Sequence, residues 1–250
     1  MILRKFYSHL DTLFSLGLRD YLKYVFLKRL KPYEAAFLYV RKRIMFCLEP
    51  LLERISFDVR RADKNFVVKI SLDGHHLYNI VSSRRDLSIL SGFFAGALEE
   101  IFCLKLYDIK DPSSYDLLID IGSTFGEYSL YMIVKGFRGD IITVEPLAFT
   151  IIPWRKHIHL QTAISSPEDF EKILGKSSGK RSIIKIDCEG CEKYLKPQHL
   201  QMIERGSIFI VEAHDFNTYI YLRDLMKNHS EKIIRDLKTP HDVWILKSII

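Results

Sequence analysis

The sequence predicts an α/β protein with a doubly wound, seven-stranded sheet that has helices on both faces, preceded by a helical segment and a small β-meander. Short apolar runs alternate with amphipathic segments from Tyr115 to the end of the chain. Polar clusters directly follow four of these runs. The chain has 250 residues, of which 48% are hydrophobic, so it can bury a large core and is not a disordered polymer.

Residues 1–56 contain most of the basic excess of the protein and are predicted to form amphipathic helices. The first 60 residues hold 12 Lys or Arg against 6 Asp or Glu, which accounts for the whole net charge of +6. Apolar residues recur at helical spacing from Phe6 to Leu48, with a break near Pro32. Three interpretations stay open: packing on the rest of the chain, which we favour, contact with an anionic membrane or lipid-linked substrate, and nucleic-acid binding, which we favour least.

The sequence predicts a cytoplasmic protein, with peripheral membrane contact through residues 1–56 as the alternative. It contains no run of eighteen apolar residues of the kind that spans a membrane. The basic start is followed by His9, Asp11, Arg19 and Asp20, which interrupt the continuous apolar region that a secretory signal requires.

Residues 57–110 are predicted to form a small antiparallel meander followed by a helix. The strand-like runs are FDVRRA, NFVVKISL and HLYNIV, and one or two helices are expected from Ser83 to Leu106. Asp111-Pro-Ser-Ser114 is the clearest linker. We therefore divide the chain into a helical extension over 1–56, a meander and helix over 57–110, and a third domain over 111–250.

The third domain is predicted to alternate strands and helices. Strands are expected at 117–121, 141–144, 158–164, 182–186, 208–211, 232–237 and 243–247, with helices up to Lys135 and over 167–174, 191–205 and 218–229. A short connection is expected between the second and third strands. Ligands of such sheets bind at the carboxyl ends of the strands, where the polar clusters fall.

The first strand is followed by a glycine turn that predicts a nucleoside cofactor site. In LLIDIGSTFGEYSL, Gly122 and Gly126 allow a sharp turn into a helix, but the third glycine of a dinucleotide fingerprint is missing. Asp120 would repel a pyrophosphate and would suit the ammonium group of a methionine moiety. Glu145, at the end of the second strand, could hold a ribose diol. S-adenosylmethionine therefore fits better than NAD.

Carboxylates and a histidine at the ends of the fourth and fifth strands are the candidate catalytic groups. They are Asp187, Glu189 and His214, with Glu212 beside them. Two carboxylates and His214 could share a divalent cation, or His214 could act alone as a base; metal dependence is left open. Lys185 is expected to point away from the site, because side chains alternate along a strand.

Cys188 and Cys191 form a Cys-x-x-Cys pair, which we interpret as reduced packing residues. The sequence has no second Cys-x-x-Cys, which a zinc site of this kind would need. Cytoplasmic proteins also keep most thiols reduced.

Four segments together resemble the FkbM-type S-adenosylmethionine-dependent methyltransferases: IDIGSTFGEYS, Glu145-Pro146, IIKIDCEGCE and IFIVEAHD. The resemblance covers roughly residues 66 to 248, and KIDCEGCE is its most specific element. It implies a Rossmann-like class I methyltransferase fold and methyl transfer, usually to a hydroxyl oxygen of a sugar, polyketide or similar metabolite. It also implies that Asp120, Gly122 and Gly126 line the methionine part and that Glu145 binds the ribose.

We accordingly expect a small-molecule or glycan acceptor and the following cofactor-binding residues: Asp120, Gly122, Ser123, Thr124, Gly126, Glu127, Glu145, Pro146, Ala163 and Ile164. The family commonly has Ala-Asn at the positions of Ser123-Thr124, so the cofactor pocket differs there; Ala163 and Ile164 are expected to form the adenine floor. Two alternatives remain: a noncatalytic module whose basic N-terminal helices bind anionic lipid or RNA, and an RNA methyltransferase. The sequence does not predict the oligomeric state.

Overall fold

The computed structural model describes residues 54–230, 232–238 and 244–250, which lie in one compact unit spanning Leu51–Ile250. The N-terminal segment, residues 1–56, for which basic helices are predicted, lies outside the described residues except for residues 54–56. The linker at Asp111–Ser114 lies inside the compact unit. None of the helices in the described ranges combines the length and the apolar character that a bilayer span requires.

The predicted meander is confirmed, and it is part of a four-stranded antiparallel sheet. Its strands are β1 (Ile55–Ala62), β2 (Asn65–Leu72) and β3 (His75–Val81). A further strand, β6 (Ala148–Ile151), pairs antiparallel with β3 and completes the order β1-β2-β3-β6. The predicted connection before the third strand therefore contains a strand that sequence reasoning missed. Only alternate side chains of β6 are buried, and four residues are too few for that alternation to stand out.

The large sheet has the seven predicted strands. They are β4 (Leu117–Ile121), β5 (Asp140–Val144), β7 (His157–Leu160), β8 (Ser182–Ile186), β9 (Ile208–Ala213), β10 (Lys232–Lys238) and β11 (Trp244–Ile249). The order is β7-β5-β4-β8-β9-β11-β10, and β11 pairs antiparallel with both of its neighbours. This arrangement confirms the predicted Rossmann-like class I methyltransferase fold. The strand order reverses between β4 and β8, which is where such sheets bind ligands.

The helices connect these strands: α1 (Arg84–Ala97), α2 (Glu127–Val134), α3 (Pro167–Leu174), α4 (Pro197–Gln201) and α5 (Phe216–His229). α1 continues as a π-helical segment, Leu98–Cys103. The single helix predicted over 191–205 is wrong: a 3-10 turn, Cys191–Tyr194, precedes α4. Pro197 explains the break, because the residue before a proline disfavours helical geometry and proline has no N–H to donate.

The third strand of the large sheet, β7, ends earlier than predicted. It stops at Leu160, where the N–H of Thr162 turns back to donate to the Leu160 carbonyl at 3.0 Å. Ala163 and Ile164 therefore lie in a loop beyond the strand. This loop still passes the carboxyl edge of the sheet.

Two neutral histidines hold β5 against β7. The N–H of Ile152 donates to Nδ1 of His157 at 3.2 Å, so the proton of that ring lies on Nε2, which donates to Oγ1 of Thr143 at 2.8 Å. The Thr143 hydroxyl then donates to Nδ1 of His159 at 2.8 Å. Burial, followed by the neighbouring His159, lowers the pKa of His157 to about 4.

We predict that acidification destabilises the protein through His157. A group whose pKa is lower in the folded than in the unfolded state contributes stability that is fully present above pH 6.5 and is lost as the pH falls towards 4. Because the ring is partly exposed, we expect a loss of about 1–2 kcal/mol in the free energy of unfolding. Urea denaturation of wild type and His157→Asn between pH 7 and 4 measures it. Identical pH dependence in the two proteins would contradict the assignment.

Candidate active site

A cavity of about 630 Å³ lies at the carboxyl ends of β4, β5, β8 and β9. Its volume is in the range of small-molecule and cofactor sites. Ten of the predicted site residues line it: Gly122, Thr124, Glu127, Glu145, Pro146, Ala163, Ile164, Asp187, Glu189 and His214. Asp120, in β4, and Ser123 and Gly126, in the turn that follows it, are not part of the cavity wall. Segments that are distant in sequence thus meet at the edge of the sheet that the sequence predicted.

The turn after β4 requires glycine at Gly122. This residue has a φ of +72°, and its N–H donates to the Val144 carbonyl at 2.9 Å, which ties the turn to β5. A Cβ atom here would lie 1.7 Å from the Asp187 carbonyl oxygen. The backbone after β8 therefore packs directly against the turn. This close approach brings Asp187 to the first glycine of the predicted cofactor loop.

Glu145 is fixed in the cavity wall by main-chain donors. Its Oε2 accepts from the N–H of Thr124 at 3.2 Å, and its Oε1 accepts from the N–H of Leu147 at 2.9 Å. Burial raises the pKa of Glu145, and these two N–H groups oppose that shift. Each carboxylate oxygen has a second lone pair, so the side chain is oriented but still able to accept from a ligand.

Asp120 lies behind the cavity wall and is paired with Lys185. The Asp120 side chain is fully buried; its Oδ2 accepts from the Ser129 hydroxyl at 2.8 Å, and its Oδ1 lies 3.6 Å from Nζ of Lys185. Lys185 also lies 3.1 Å from Oδ2 of Asp187 and donates to the Gly122 carbonyl.

The prediction that Lys185 points away from the site is wrong, since it lines the cavity. Side chains do alternate along β8, but the side chain of Lys185 lies on the face that borders the cavity. Lys185 is the register partner of Asp120 on β4, and the two side chains share one face of the sheet. Burial lowers the pKa of Lys185, but Asp187 and Asp120 outweigh this and raise it, so the side chain stays a cation.

Glu127, at the start of α2, places a second carboxyl group on this side of the cavity. Its Oε2 accepts from the N–H of Phe125 at 3.0 Å. Burial raises the pKa of Glu127 to about 8. Since Asp120 is enclosed, Glu127 is the acidic residue of the segment from β4 to α2 that lines the cavity.

His214 lies at the centre of a cluster of carboxylates. Its Nε2 is 3.7 Å from Oδ1 of Asp187, 3.6 Å from Oε2 of Glu189 and 3.7 Å from Oε1 of Glu212. On the other side of the ring, Nδ1 lies 3.0 Å from Oε1 of Glu192, which is buried. The next residue, Asp215, caps the N-terminus of α5 with its side chain, which fixes the backbone directly after His214.

The cluster strongly shifts the ionisation of two of its members. Burial lowers the pKa of His214, but the hydrogen bond with Glu192 and the nearby carboxylates outweigh it and raise the pKa to about 9. Burial, with the charges of Asp187 and Glu100, raises the pKa of Glu212 to about 9. Both shifts have one physical cause in common, which is the crowding of negative charge in a partly dry pocket. His214 is therefore protonated at neutral pH in this arrangement.

Cys188 and Cys191 form a disulfide, which corrects the prediction of a reduced pair. Glu189 and Gly190 between them both have positive φ, at 54° and 109°. This tight loop brings the two Cα atoms to 5.5 Å, within the range of disulfides. Spacing alone did not reveal this, because a Cys-x-x-Cys pair adopts several geometries.

Two functional positions were missed by sequence reasoning. Tyr107 donates its hydroxyl hydrogen bond to Oε2 of Glu212 from a segment with no motif, so nothing in the sequence identified it. Glu192 is the last residue of KIDCEGCE and holds both His214 and the N–H of Gly190, the latter at 2.9 Å. The position of Glu192 in KIDCEGCE was the sequence feature that could have identified it.

No family model matches the sequence, and no curated protein sequence matches it either. Solved structures resemble it at low identity. An O-methyltransferase family protein from Burkholderia thailandensis is 8% identical with a TM-score of 0.44, and the match covers 66% of this chain and 60% of that one. MycE methyltransferase of the mycinamycin biosynthetic pathway, in complex with Mg and SAH, is 15% identical with a TM-score of 0.40, and the match covers 65% of this chain and 48% of that one.

A putative ribosomal RNA methyltransferase from Plasmodium falciparum is 18% identical, with a TM-score of 0.41 and coverage of 67% and 96%. The chain thus spans about three fifths and about half of the first two proteins. At these values the resemblance carries no argument about activity. The strand order and the cavity of this chain define it as a Rossmann-like α/β protein with the class I methyltransferase fold.

We predict that Gly122→Ala is far more destabilising than Gly136→Ala. Both glycines have positive φ, which costs an alanine about 1–2 kcal/mol. Only at Gly122 does the added Cβ also overlap backbone, whereas at Gly136 it meets nothing within 4 Å. We expect a loss above about 3 kcal/mol for Gly122→Ala, measured by urea denaturation. Equal losses in the two variants would contradict the close packing.

We also predict that Lys185→Met destabilises the fold by about 3–5 kcal/mol, because it leaves Asp120 buried without a cation. Adding Asp120→Asn should recover part of the loss, since the amide carries no charge. The unfolding free energies of the two single variants and the double variant form a cycle. Strictly additive losses would show that the two side chains are not coupled.

Proposed function

We propose that this protein is an S-adenosylmethionine-dependent methyltransferase of the FkbM type that methylates a hydroxyl oxygen of a sugar, glycan or other small metabolite. The observation that carries the proposal is the convergence of one glycine turn, one strand-end glutamate and one His-carboxylate cluster on a single cavity. They come from β4, β5, β8 and β9, and they surround the point where the strand order reverses.

The cavity residues fit the three parts of S-adenosylmethionine. Glu145, held by two main-chain N–H groups, would accept from the ribose diol. Ala163 and Ile164, with Leu147, would contact the adenine ring. Gly122, Thr124 and Glu127 line the wall at the β4–α2 turn and would receive the methionine end, with Glu127 facing the ammonium group. Asp120 would act as a positioning residue, through Lys185.

The His-carboxylate cluster would handle the acceptor. When bound, S-adenosylmethionine would supply an electrophilic methyl group to the acceptor oxygen and would leave as S-adenosylhomocysteine, and the proton of the acceptor hydroxyl would pass to the protein. Asp187, Glu189 and His214 line the cavity and are the candidate proton acceptors. With a pKa of about 9, His214 is already protonated at neutral pH, so a carboxylate is the better acceptor in the arrangement described.

We predict that S-adenosylmethionine and S-adenosylhomocysteine bind the purified protein and that Glu145→Ala weakens both affinities by at least about tenfold, as expected for the loss of a hydrogen-bonded charged group. Isothermal titration calorimetry measures this directly. Glu168→Ala is the matched control, because Glu168 is an exposed glutamate at the start of α3.

Unchanged affinity in Glu145→Ala would place the nucleoside elsewhere. If neither compound binds the wild-type protein, alone or with a mixture of glycan acceptors, the proposal of a methyltransferase is overturned. Thermal denaturation of each variant shows whether the fold is retained.

A further inference from the structure

We propose that Asp187, Glu212 and His214 form a binding site for a divalent transition-metal ion. One ligand atom from each residue is available, and these atoms all lie within 4.8 Å of one another. They come from the ends of the neighbouring strands β8 and β9 and border the cavity. The binding step is independent of the proposed methyl transfer.

The separations within the cluster match ligands around a shared ion better than a hydrogen-bonded ion pair. Nε2 of His214 is 3.7 Å from both Oδ1 of Asp187 and Oε1 of Glu212. A charge-assisted hydrogen bond would bring such atoms to about 2.7–2.9 Å. Ligand atoms at about 2.1 Å from a tetrahedral ion lie about 3.4 Å from each other, so the two separations from Nε2 of His214, at 3.7 Å each, exceed that value by only a few tenths of an ångström.

Each of the three residues is held in place through its other polar atom. Oδ2 of Asp187 contacts Lys185 at 3.1 Å, Oε2 of Glu212 accepts from the Tyr107 hydroxyl, and Nδ1 of His214 contacts Glu192. Metal-binding histidines and carboxylates are oriented by outer partners of this kind. The remaining ligand atoms, which are Oδ1 of Asp187, Oε1 of Glu212 and Nε2 of His214, face each other. Within the part of the chain that the structure describes, they have no donor at hydrogen-bond distance.

Glu212 carries the strongest sign that a ligand is involved. It is only 5% exposed, yet its Oε1 is directed towards His214 without a hydrogen bond. Three carboxylates, Asp187, Glu189 and Glu212, converge on this point, and Lys185 contacts only Asp187 among them. A divalent cation would take the place of the protons that His214 and Glu212 hold at neutral pH, and it would neutralise the carboxylates around it.

The donor set indicates the class of metal. Two carboxylate oxygens and one imidazole nitrogen suit Mn²⁺, Fe²⁺ or Zn²⁺, whereas Mg²⁺ prefers oxygen alone. Three protein ligands leave positions open towards the cavity. If the proposed function holds, an acceptor oxygen would occupy one of them, so this part of the inference rests on that proposal.

The test is Mn²⁺ binding to the full chain after treatment with EDTA, without cofactor or acceptor, followed by electron paramagnetic resonance and calorimetry. We expect one saturable site. Asp187→Asn and His214→Gln should each weaken it by more than about tenfold, and Glu192→Gln, which alters only the residue behind His214, by about 10- to 100-fold. Asp224→Asn and His75→Gln are the matched controls on exposed residues and should bind as wild type does.

Absence of a saturable site, or a site that Asp187→Asn and His214→Gln leave unchanged, would overturn the proposal. Glu212→Gln serves as a further variant if one of these fails to fold, which circular dichroism reveals. Competition with Zn²⁺ and Mg²⁺ then tests the metal class: displacement by Mg²⁺ at equal concentration would contradict the assigned donor preference. The metal titration contains no S-adenosylmethionine. A negative result would therefore overturn the metal site without contradicting the proposed cofactor site.

Discussion

The cavity depends on one buried cation. Lys185 joins the end of β4, the end of β8 and the glycine turn, because it contacts Asp120, Asp187 and the Gly122 carbonyl. It also lies over the ring of Tyr107, 5.6 Å from its centroid. A lysine buried without anions would lose its proton, and Asp120 without the lysine would be a buried charge with one hydroxyl partner. The two strands therefore stabilise each other's ionisable groups, and the relative positions of their carboxyl ends are fixed by that pairing.

The wall of the cavity has two chemically different sides. On the β5 side, Leu147, Ala163 and Ile164 give an apolar wall in which Glu145 is the oriented polar group. On the β8 and β9 side, carboxylates and His214 make the wall strongly polar. An apolar wall with one fixed acceptor suits a flat nucleoside, and a wall of carboxyl groups around a histidine suits proton transfer or a cation. One ligand with both characters, or two ligands side by side, would fill such a cavity.

Sequence reasoning succeeded where a segment is uniformly buried. Strands β4 and β8 were predicted at their observed bounds, because all five residues of each are buried and only one position of each carries a charged side chain. Sequence-based prediction failed where a local rule does not determine the tertiary arrangement. Alternation along β8 separates Lys185 from its neighbours but does not say which face is the ligand side. The strand β6 is paired with residues some 70 positions earlier, so its formation depends on tertiary contact and not on its own four residues.

The loop after β8 shows how local backbone geometry determines the chemistry of the site. Positive φ at Glu189 and Gly190 allows the chain to reverse, and the Cys188–Cys191 disulfide closes the reversal. The reversal brings Glu192 back beneath the loop, where one of its oxygens accepts from Gly190 and the other contacts His214. A buried carboxylate that holds one ring nitrogen leaves the other nitrogen facing Asp187 and Glu212. The orientation of His214 is therefore set by Glu192, a residue outside the cavity wall, which the chain reversal after β8 brings to the ring.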